Sequence, residues 1–397
     1  KAIFNCQTGY PEEAYVKEFT FYNPTRIEFG SGKEDTIGAH IASAGARKVL
    51  LCYGSERIKR EGLFDTVSQN LADHGIEHIE LGGIVSNPVI SKVREGVELA
   101  KHHSVDAILS VGGGSVLDSA KAIAAGAHYN GDVWDLFAGK SELSSALPLF
   151  AILTLAATGS EMNPYAVVTN EETHEKLSIG NDYTRPVVSV LSPALMAGLS
   201  RDYLVYSAAD IISHLIEVYF TATVQPAIQS RLVEALLNTV IETTQTLISN
   251  PEDEATRGEF AWAATLAQTG LILSGCAGFS YPNHAIEHSL SALFNLPHGT
   301  GLSVVMPAWM KWYKKRNTPQ FERFAKYVFG LSSTDDGIAA LEKWFEEIGT
   351  PTRLEQLNIR KTDLPAIVEN VQINVKAFGI ASDYPPEVVT EILMHAV

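Results

Sequence analysis

Asp106-Ala107-Ile108-Leu109-Ser110-Val111 runs directly into Gly112-Gly113-Gly114-Ser115-Val116-Leu117-Asp118. A short apolar run, three glycines and a helical stretch over residues 115–127 read as strand, tight turn and helix. Glycines let a backbone approach an anion closely, and the N–H groups at a helix start have no partner inside the helix. The turn is therefore of the phosphate-binding type. A plain strand-to-helix turn with Ser115 as N-cap is the competing reading. The pattern is not G-x-G-x-x-G, and it follows the third strand of its series, so an ordinary dinucleotide fingerprint is not indicated.

Working outward, residues 47–53, 79–81 and 148–154 also read as strands, with helices over 62–74 and from Asn87-Pro88 to 103. This βαβαβ order implies a parallel sheet with helices on both faces. Residues 165–169 and 176–179 flank an acidic turn and read as an inserted hairpin, and 186–191 as one more strand. From about residue 193 helical spacing dominates, for example over 228–247 and 259–273. A chain of 397 residues is too long for one ordinary core. The division expected is an α/β nucleotide-binding domain with a parallel sheet over residues 1–195 and an all-α metal-binding and substrate domain over 196–397.

Hydrophobic residues make up 46% of the chain and charged residues 19%, as in a soluble globular protein. The net charge of −16 argues against nucleic acid as a partner, which needs a basic surface. Cys6, Cys52 and Cys276 are widely spaced with no C-x-x-C, so no disulfide framework is expected and the chain reads as cytoplasmic. Cys52 lies in an apolar run and reads as core. No signal peptide or membrane-spanning run is apparent. Residues 1 to about 18 carry little pattern and read as an extension or expression remnant.

Two further features carry chemistry. Thr154-x3-Thr158-Gly159-Ser160-Glu161 follows the fourth strand, where loops at strand carboxyl ends gather ligands; its threonines either bond phosphate or ribose oxygens or merely cap a turn. Asp210 and His214 are i and i+4 on one helical face, as are His284 and His288, and His298 follows in Leu296-Pro297-His298-Gly299-Thr300-Gly301. A carboxylate with imidazoles suits a divalent transition metal such as iron(II) or zinc. A lone histidine is more often a satisfied core or surface residue, and the other eight (His40, His74, His78, His102, His103, His128, His174 and His395) are read so. Spacing alone leaves open which of His284, His288 and His298 ligate.

With these motifs in place, the sequence resembles the iron-containing (group III) alcohol dehydrogenase family from about residue 22 to the C-terminus. The resemblance rests on Gly112-Gly-Gly-Ser-x2-Asp118-x2-Lys121, Thr154-x3-Thr158-Gly-Ser-Glu161, Asp210-x3-His214 and His284-x3-His288-x9-His298-Gly-x-Gly301. The branch it looks most like is that of butanol dehydrogenases and broad-range aldehyde reductases. It implies a dehydroquinate synthase-like fold and the ligand set Asp210, His214, His284 and His298, with His288 beside the nicotinamide. It also implies that Gly113, Gly114 and Ser115 hold the pyrophosphate with Asp118 nearby. Thr154, Thr158, Val167 and Lys176 would line the rest of the cleft, and Asn87-Pro88 would lie near the adenine. The metal implied is Fe2+, with Zn2+ as the alternative.

A carboxylate just after the first strand would bond a ribose 2′-OH and repel a 2′-phosphate. Here Gly54 and Ser55 leave room, and Ser55, Arg57 or Lys59 are phosphate partners, while Glu56 opposes if it turns inward. NADP(H) is accordingly expected over NAD(H). The reaction expected is hydride transfer between nicotinamide and a small primary alcohol or aldehyde such as butanol or butanal, with His288 as proton relay or, alternatively, as packing against the ring. A glycerol or polyol dehydrogenase is the nearest alternative. A sugar-phosphate lyase of the dehydroquinate synthase type needs Lys or Arg around the metal, and none occurs within 210–214 or 284–298. A non-catalytic nucleotide-binding protein would leave the ligand set idle. The resemblance suggests a homodimer, with the strand at 25–29 a candidate edge.

Overall fold

Short runs of apolar residues build the sheet. The computed structural model describes residues 16–397; Cys6 and most of the extension read over 1–18 lie outside the described residues. Six strands, β1 (Arg26–Phe29), β2 (Lys48–Tyr53), β3 (Glu77–Leu81), β4 (Ala107–Gly112), β5 (Leu149–Leu153) and β8 (Val188–Leu191), form one sheet in the order β1-β8-β5-β4-β2-β3, parallel throughout. Successive side chains go to opposite faces. Leu50, Cys52, Ile108 and Ala151 pack under the helices Ile90–His102 and Gly114–His128, while Val49, Leu51, Leu109, Phe150 and Ile152 pack under Ile37–Ser43 and Leu63–Asp73. Burial on both faces is why these strands read as unbroken apolar runs. β6 (Ala166–Asn170) and β7 (Glu175–Ile179) form the expected antiparallel hairpin.

The strand order fixes where a ligand sits. From β2 the chain moves to β3 on one side and then returns to β4 on the other. A crevice opens at the carboxyl ends of strands where the order reverses. Gly54 and Ser55 follow β2 there, and Gly113 and Gly114 follow β4.

Nine α-helices between Arg201 and Met394 form the second part of the chain. Three are buried on nearly every side: Arg201–Thr221 from Ser207 onward, Pro282–Phe294 as far as Ser291, and His298–Tyr313 from Gly299 to Met310. An interior helix is ordinarily apolar all round. Asp210, His214 and Glu217 are therefore exceptions that need partners, because an unpaired buried charge costs several kcal/mol or more.

Three local expectations change. The helix expected over 259–273 ends at Ala267, because Gly270 takes a left-handed φ of 84° and starts a separate turn, Leu271–Leu273. Ser115 is not the N-cap: Gly113 holds that position and Ser115 lies inside the helix. Asn87-Pro88 does not open the next helix, which starts at Ile90. Pro88 instead gives its carbonyl to Thr169 N–H at 2.8 Å, which ties this loop to the hairpin.

Candidate active site

A cleft of about 870 Å³ lies between the sheet's carboxyl edge and the helices, a volume suited to a cofactor. Gly54, Ser55, Asn87, Gly113, Gly114, Ser115, Thr154 and Thr158 line it, and Asp210 and His298 lie on its wall. The two glycine-turn loops touch closely: a Cβ at Gly114 would stand 2.6 Å from Thr158 Oγ1. The start of the helix Gly114–His128, where N–H groups lack partners inside the helix, therefore lies on the cleft with Thr158 close against it.

At one end of the cleft three imidazoles converge on one carboxylate oxygen. Asp210 Oδ1 is 3.6 Å from His214 Nε2, 3.5 Å from His284 Nε2 and 3.6 Å from His298 Nε2. Ligands bound at about 2.1 Å in a tetrahedron stand about 3.4 Å apart; Asp210, His284 and His298 converge closely enough to share a metal ion, and His214 approaches the same Asp210 oxygen. Asp210 Oδ1 and His284 Nε2 are buried without a hydrogen-bond partner, an arrangement that is costly unless something else binds them. These residues fit iron(II) or zinc.

Two carboxylates that the motifs do not specify aim the rings. His284 Nδ1 pairs closely with Glu217, and His298 Nδ1 with Glu287; both carboxylates are fully buried. A carboxylate on the far nitrogen fixes the ring so that Nε2 is free to ligate. Glu217 also accepts from His284 N–H at 3.2 Å. Sequence reading missed both, although helical spacing carried a signal: Glu217 is i+3 from His214 and i+7 from Asp210, and Glu287 is i+3 from His284. The glycines of His298-Gly-x-Gly301 also gain a reason. A Cβ at Gly299 would stand 2.1 Å from Tyr206 O, and one at Gly301 2.7 Å from Glu287 Cγ.

Electrostatics agree with this geometry. Burial would raise the Asp210 carboxyl, but His214, His298 and His284 outweigh it and hold it well below the carboxylate range. Burial pushes His214 down to about 3 against the pull of Asp210, which leaves its lone pair available. Burial opposes charge on His284, but Glu217 and Asp210 draw positive charge there and raise it to about 10. A proton or a metal cation satisfies that demand.

His288 is buried beside this cluster, with Nδ1 unpartnered and its ring edge-on to Phe378. Burial, with Lys176 and the neighbouring histidines, lowers it well below the usual imidazole value.

Other expected residues stand behind the cleft wall. Asp118 is buried, accepting Ser160 Oγ–H at 2.7 Å and Val167 N–H at 3.0 Å. Lys176 is buried and donates to Asn87 Oδ1 at 3.1 Å, and its Nζ is 3.8 Å from Glu287. Asn87 in turn donates to Leu296 O at 2.8 Å, beside the His298 segment. Glu56 turns away, its Oε1 3.4 Å from Tyr53 OH. Lys59 is held by Glu80 at 2.9 Å and does not reach the cleft, which removes it as a phosphate partner. Arg57 does line the cleft, paired with Glu61 at 2.8 Å.

Residues 24–193 match the family model for iron-containing alcohol dehydrogenases, and residues 204–397 match that of the Fe-containing alcohol dehydrogenase C-terminal region. The chain belongs to the iron-containing alcohol dehydrogenase family. It is accordingly an NAD(P)H-linked oxidoreductase acting on CH–OH groups, an alcohol dehydrogenase or aldehyde reductase. Among its relatives, a probable NADH-dependent butanol dehydrogenase 2 of Bacillus subtilis is 38% identical over 89% of this chain and 92% of its own. The NADPH-dependent aldehyde reductase YqhD of Escherichia coli is 34% identical over 90% of this chain and 93% of its own. The crystal structure of NADH-dependent butanol dehydrogenase A from Thermotoga maritima superposes with a TM-score of 0.94 at 44% identity, covering 96% of this chain and 99% of that one. The family's members in this branch thus include both NADH- and NADPH-dependent enzymes. Among the described residues no helix is long and apolar enough to cross a membrane.

Proposed function

We propose that this enzyme interconverts small apolar aldehydes and primary alcohols of the butanal and butanol type, with iron(II) at the Asp210 cluster and NADPH preferred to NADH. The observation that carries the reading is the three imidazole Nε2 atoms around Asp210 Oδ1 at the end of the dinucleotide-sized cleft. When bound, the metal polarises the substrate oxygen and the nicotinamide supplies or accepts hydride. Asp210, His214, His284 and His298 hold the metal, and Glu217 and Glu287 orient two of the rings. Gly113, Gly114 and Ser115 bind the pyrophosphate at the helix start, with Thr154 and Thr158 opposite.

His288, buried beside the metal cluster with its ring close to that of His298, serves as the proton relay in this reading. Replacing His288 with Ala is expected to lower kcat by about 100-fold and alter its pH profile while metal is retained. Full activity with an unchanged profile would leave His288 only a packing role.

Two observations favour NADPH: Gly54 and Ser55 place no carboxylate at the cleft after β2, and Glu56 turns outward. The pairing of Arg57 with Glu61 on the cleft wall favours the opposite choice, as do the printed NADH names of the butanol dehydrogenases. The kcat/KM ratio for the two cofactors decides, and a value favouring NADH overturns the preference. We take residues 1–195 and 196–397 as the two domains and place the enzyme in the cytoplasm. A homodimer pairing through the β1 edge completes the proposal; among the described residues β1 has β8 on one side and no strand on the other.

A further inference from the structure

Lys121 belongs to the glycine-turn motif, yet it is fully buried and does not line the cleft. Its Nζ lies within hydrogen-bond distance of Ser160 O (2.7 Å), Ser160 Oγ (2.7 Å), Asn163 O (2.8 Å), Tyr165 O (2.8 Å) and Asn163 Oδ1 (3.3 Å). A lysine ammonium has three N–H donors and accepts nothing. Here it meets three backbone carbonyls of one loop, and those of Ser160 and Asn163 are met in buried contacts, where an acceptor needs a donor. Asp118, one turn earlier on the same helix, takes Ser160 Oγ–H and Val167 N–H. The pair therefore grips residues 160–167 by their polar groups.

That loop carries a wall of the cleft. Thr158 O accepts from Asn163 Nδ2 at 3.1 Å, and Thr158 Oγ1 accepts from Ser160 N–H at 3.3 Å. Thr158 faces Gly114, at the start of the helix that holds Asp118 and Lys121. One helix thus presents the glycine turn at its N-terminus and, two turns later, holds the opposing wall in register.

We infer that Lys121, with Asp118, is a positioning residue for the nicotinamide cofactor, setting the gap between the glycine turn and Thr158 without touching the cofactor. This rests on the cleft being the dinucleotide site. Asp118 then serves the cofactor through the loop, not by contact.

The test compares the unaltered metal-loaded enzyme with Lys121→Met and Ser160→Ala. Dissociation constants for NADH and NADPH, steady-state kinetics, bound metal and Tm are measured on each. Lys121→Met should weaken both cofactors by a common factor of about tenfold, and Ser160→Ala by about threefold, the scale of one or two lost hydrogen bonds. Saturated kcat, aldehyde KM and bound metal should stay near the unaltered values. Unshifted cofactor binding in a folded variant overturns the inference. So does a parallel loss of kcat, aldehyde KM and metal, which marks general disruption. If Lys121→Met does not fold, the Ser160→Ala constants decide by the same criteria. If the unaltered enzyme binds neither dinucleotide, both this inference and the reading of the cleft fail; binding with unshifted variants sinks this inference alone.

Discussion

Asp210 Oδ1 lacks a hydrogen-bond partner although three imidazole nitrogens surround it. At 3.5–3.6 Å these pairs are too long for good hydrogen bonds and well spaced for a shared cation. Replacing Asp210 with Ala removes the anionic ligand, and bound iron or zinc is expected to disappear on metal analysis along with turnover. Glu217→Gln is gentler. It leaves all four ligands but weakens the hold on His284, so metal affinity should fall by about 10- to 100-fold in a chelator competition. An unchanged affinity would remove Glu217 from the centre. The ligand types were legible because Asp210 and His214, and His284 and His288, recur at helical spacing, with His298 following closely in the chain. Glu217 and Glu287 were not, because a glutamate on a helix is ordinarily a solvated surface residue, and only tertiary packing buries them, Glu217 against the start of Pro282–Phe294 and Glu287 against the start of His298–Tyr313 and Lys176.

At the scale of elements, the start of helix His298–Tyr313 is set by two close approaches. A methyl at residue 301 would meet Glu287 Cγ at 2.7 Å and displace the carboxylate that pairs with His298. Gly301→Ala should therefore weaken metal binding and cost about 1–3 kcal/mol of stability as an overpacked core position does, read by metal titration and a Tm shift. The far end of this helix is fastened differently. Lys311 donates to both Glu342 oxygens at 2.9 and 2.8 Å, and Arg353 pairs closely with the same carboxylate. Burial would raise Glu342, but Lys311 and Arg353 outweigh it and hold it below the usual carboxylate value. A lowered folded value means that this stability is present above the unfolded value of about 4.3 and is lost as pH falls below it. Glu342→Gln should thus lower Tm by about 2 °C at pH 7, and the gap should close as pH drops toward the folded value. A gap independent of pH would contradict the assignment.

The strands were readable because double-sided burial makes each an apolar run, and β2, β4, β5 and β8 end within one or two residues of expectation. Helix ends were less readable: Gly270 stops one helix early, and a hydrogen bond to the distant hairpin keeps Pro88 out of another. Both outcomes depend on backbone conformation and on contacts far apart in the chain, which periodicity does not carry.

At the scale of the molecule, the sheet's order reversal places Gly54 and Gly113 at one crevice, and the helices bring Asp210 and His298 to its wall. The sequence showed each cluster separately. It did not show that Asp118 and Lys176 stand behind the wall, since only the fold decides which side of a helix or hairpin meets the cleft. The central claim is that a metal held by Asp210, His214, His284 and His298 acts beside a nicotinamide on a small aldehyde. The measurement that tests it most directly is NADPH and NADH oxidation by butanal, using metal-stripped enzyme before and after addition of iron(II). Turnover should be negligible without metal and restored by iron(II), faster with NADPH. Equal turnover of the stripped and reloaded enzyme, with metal shown to be absent from the first, would contradict the claim.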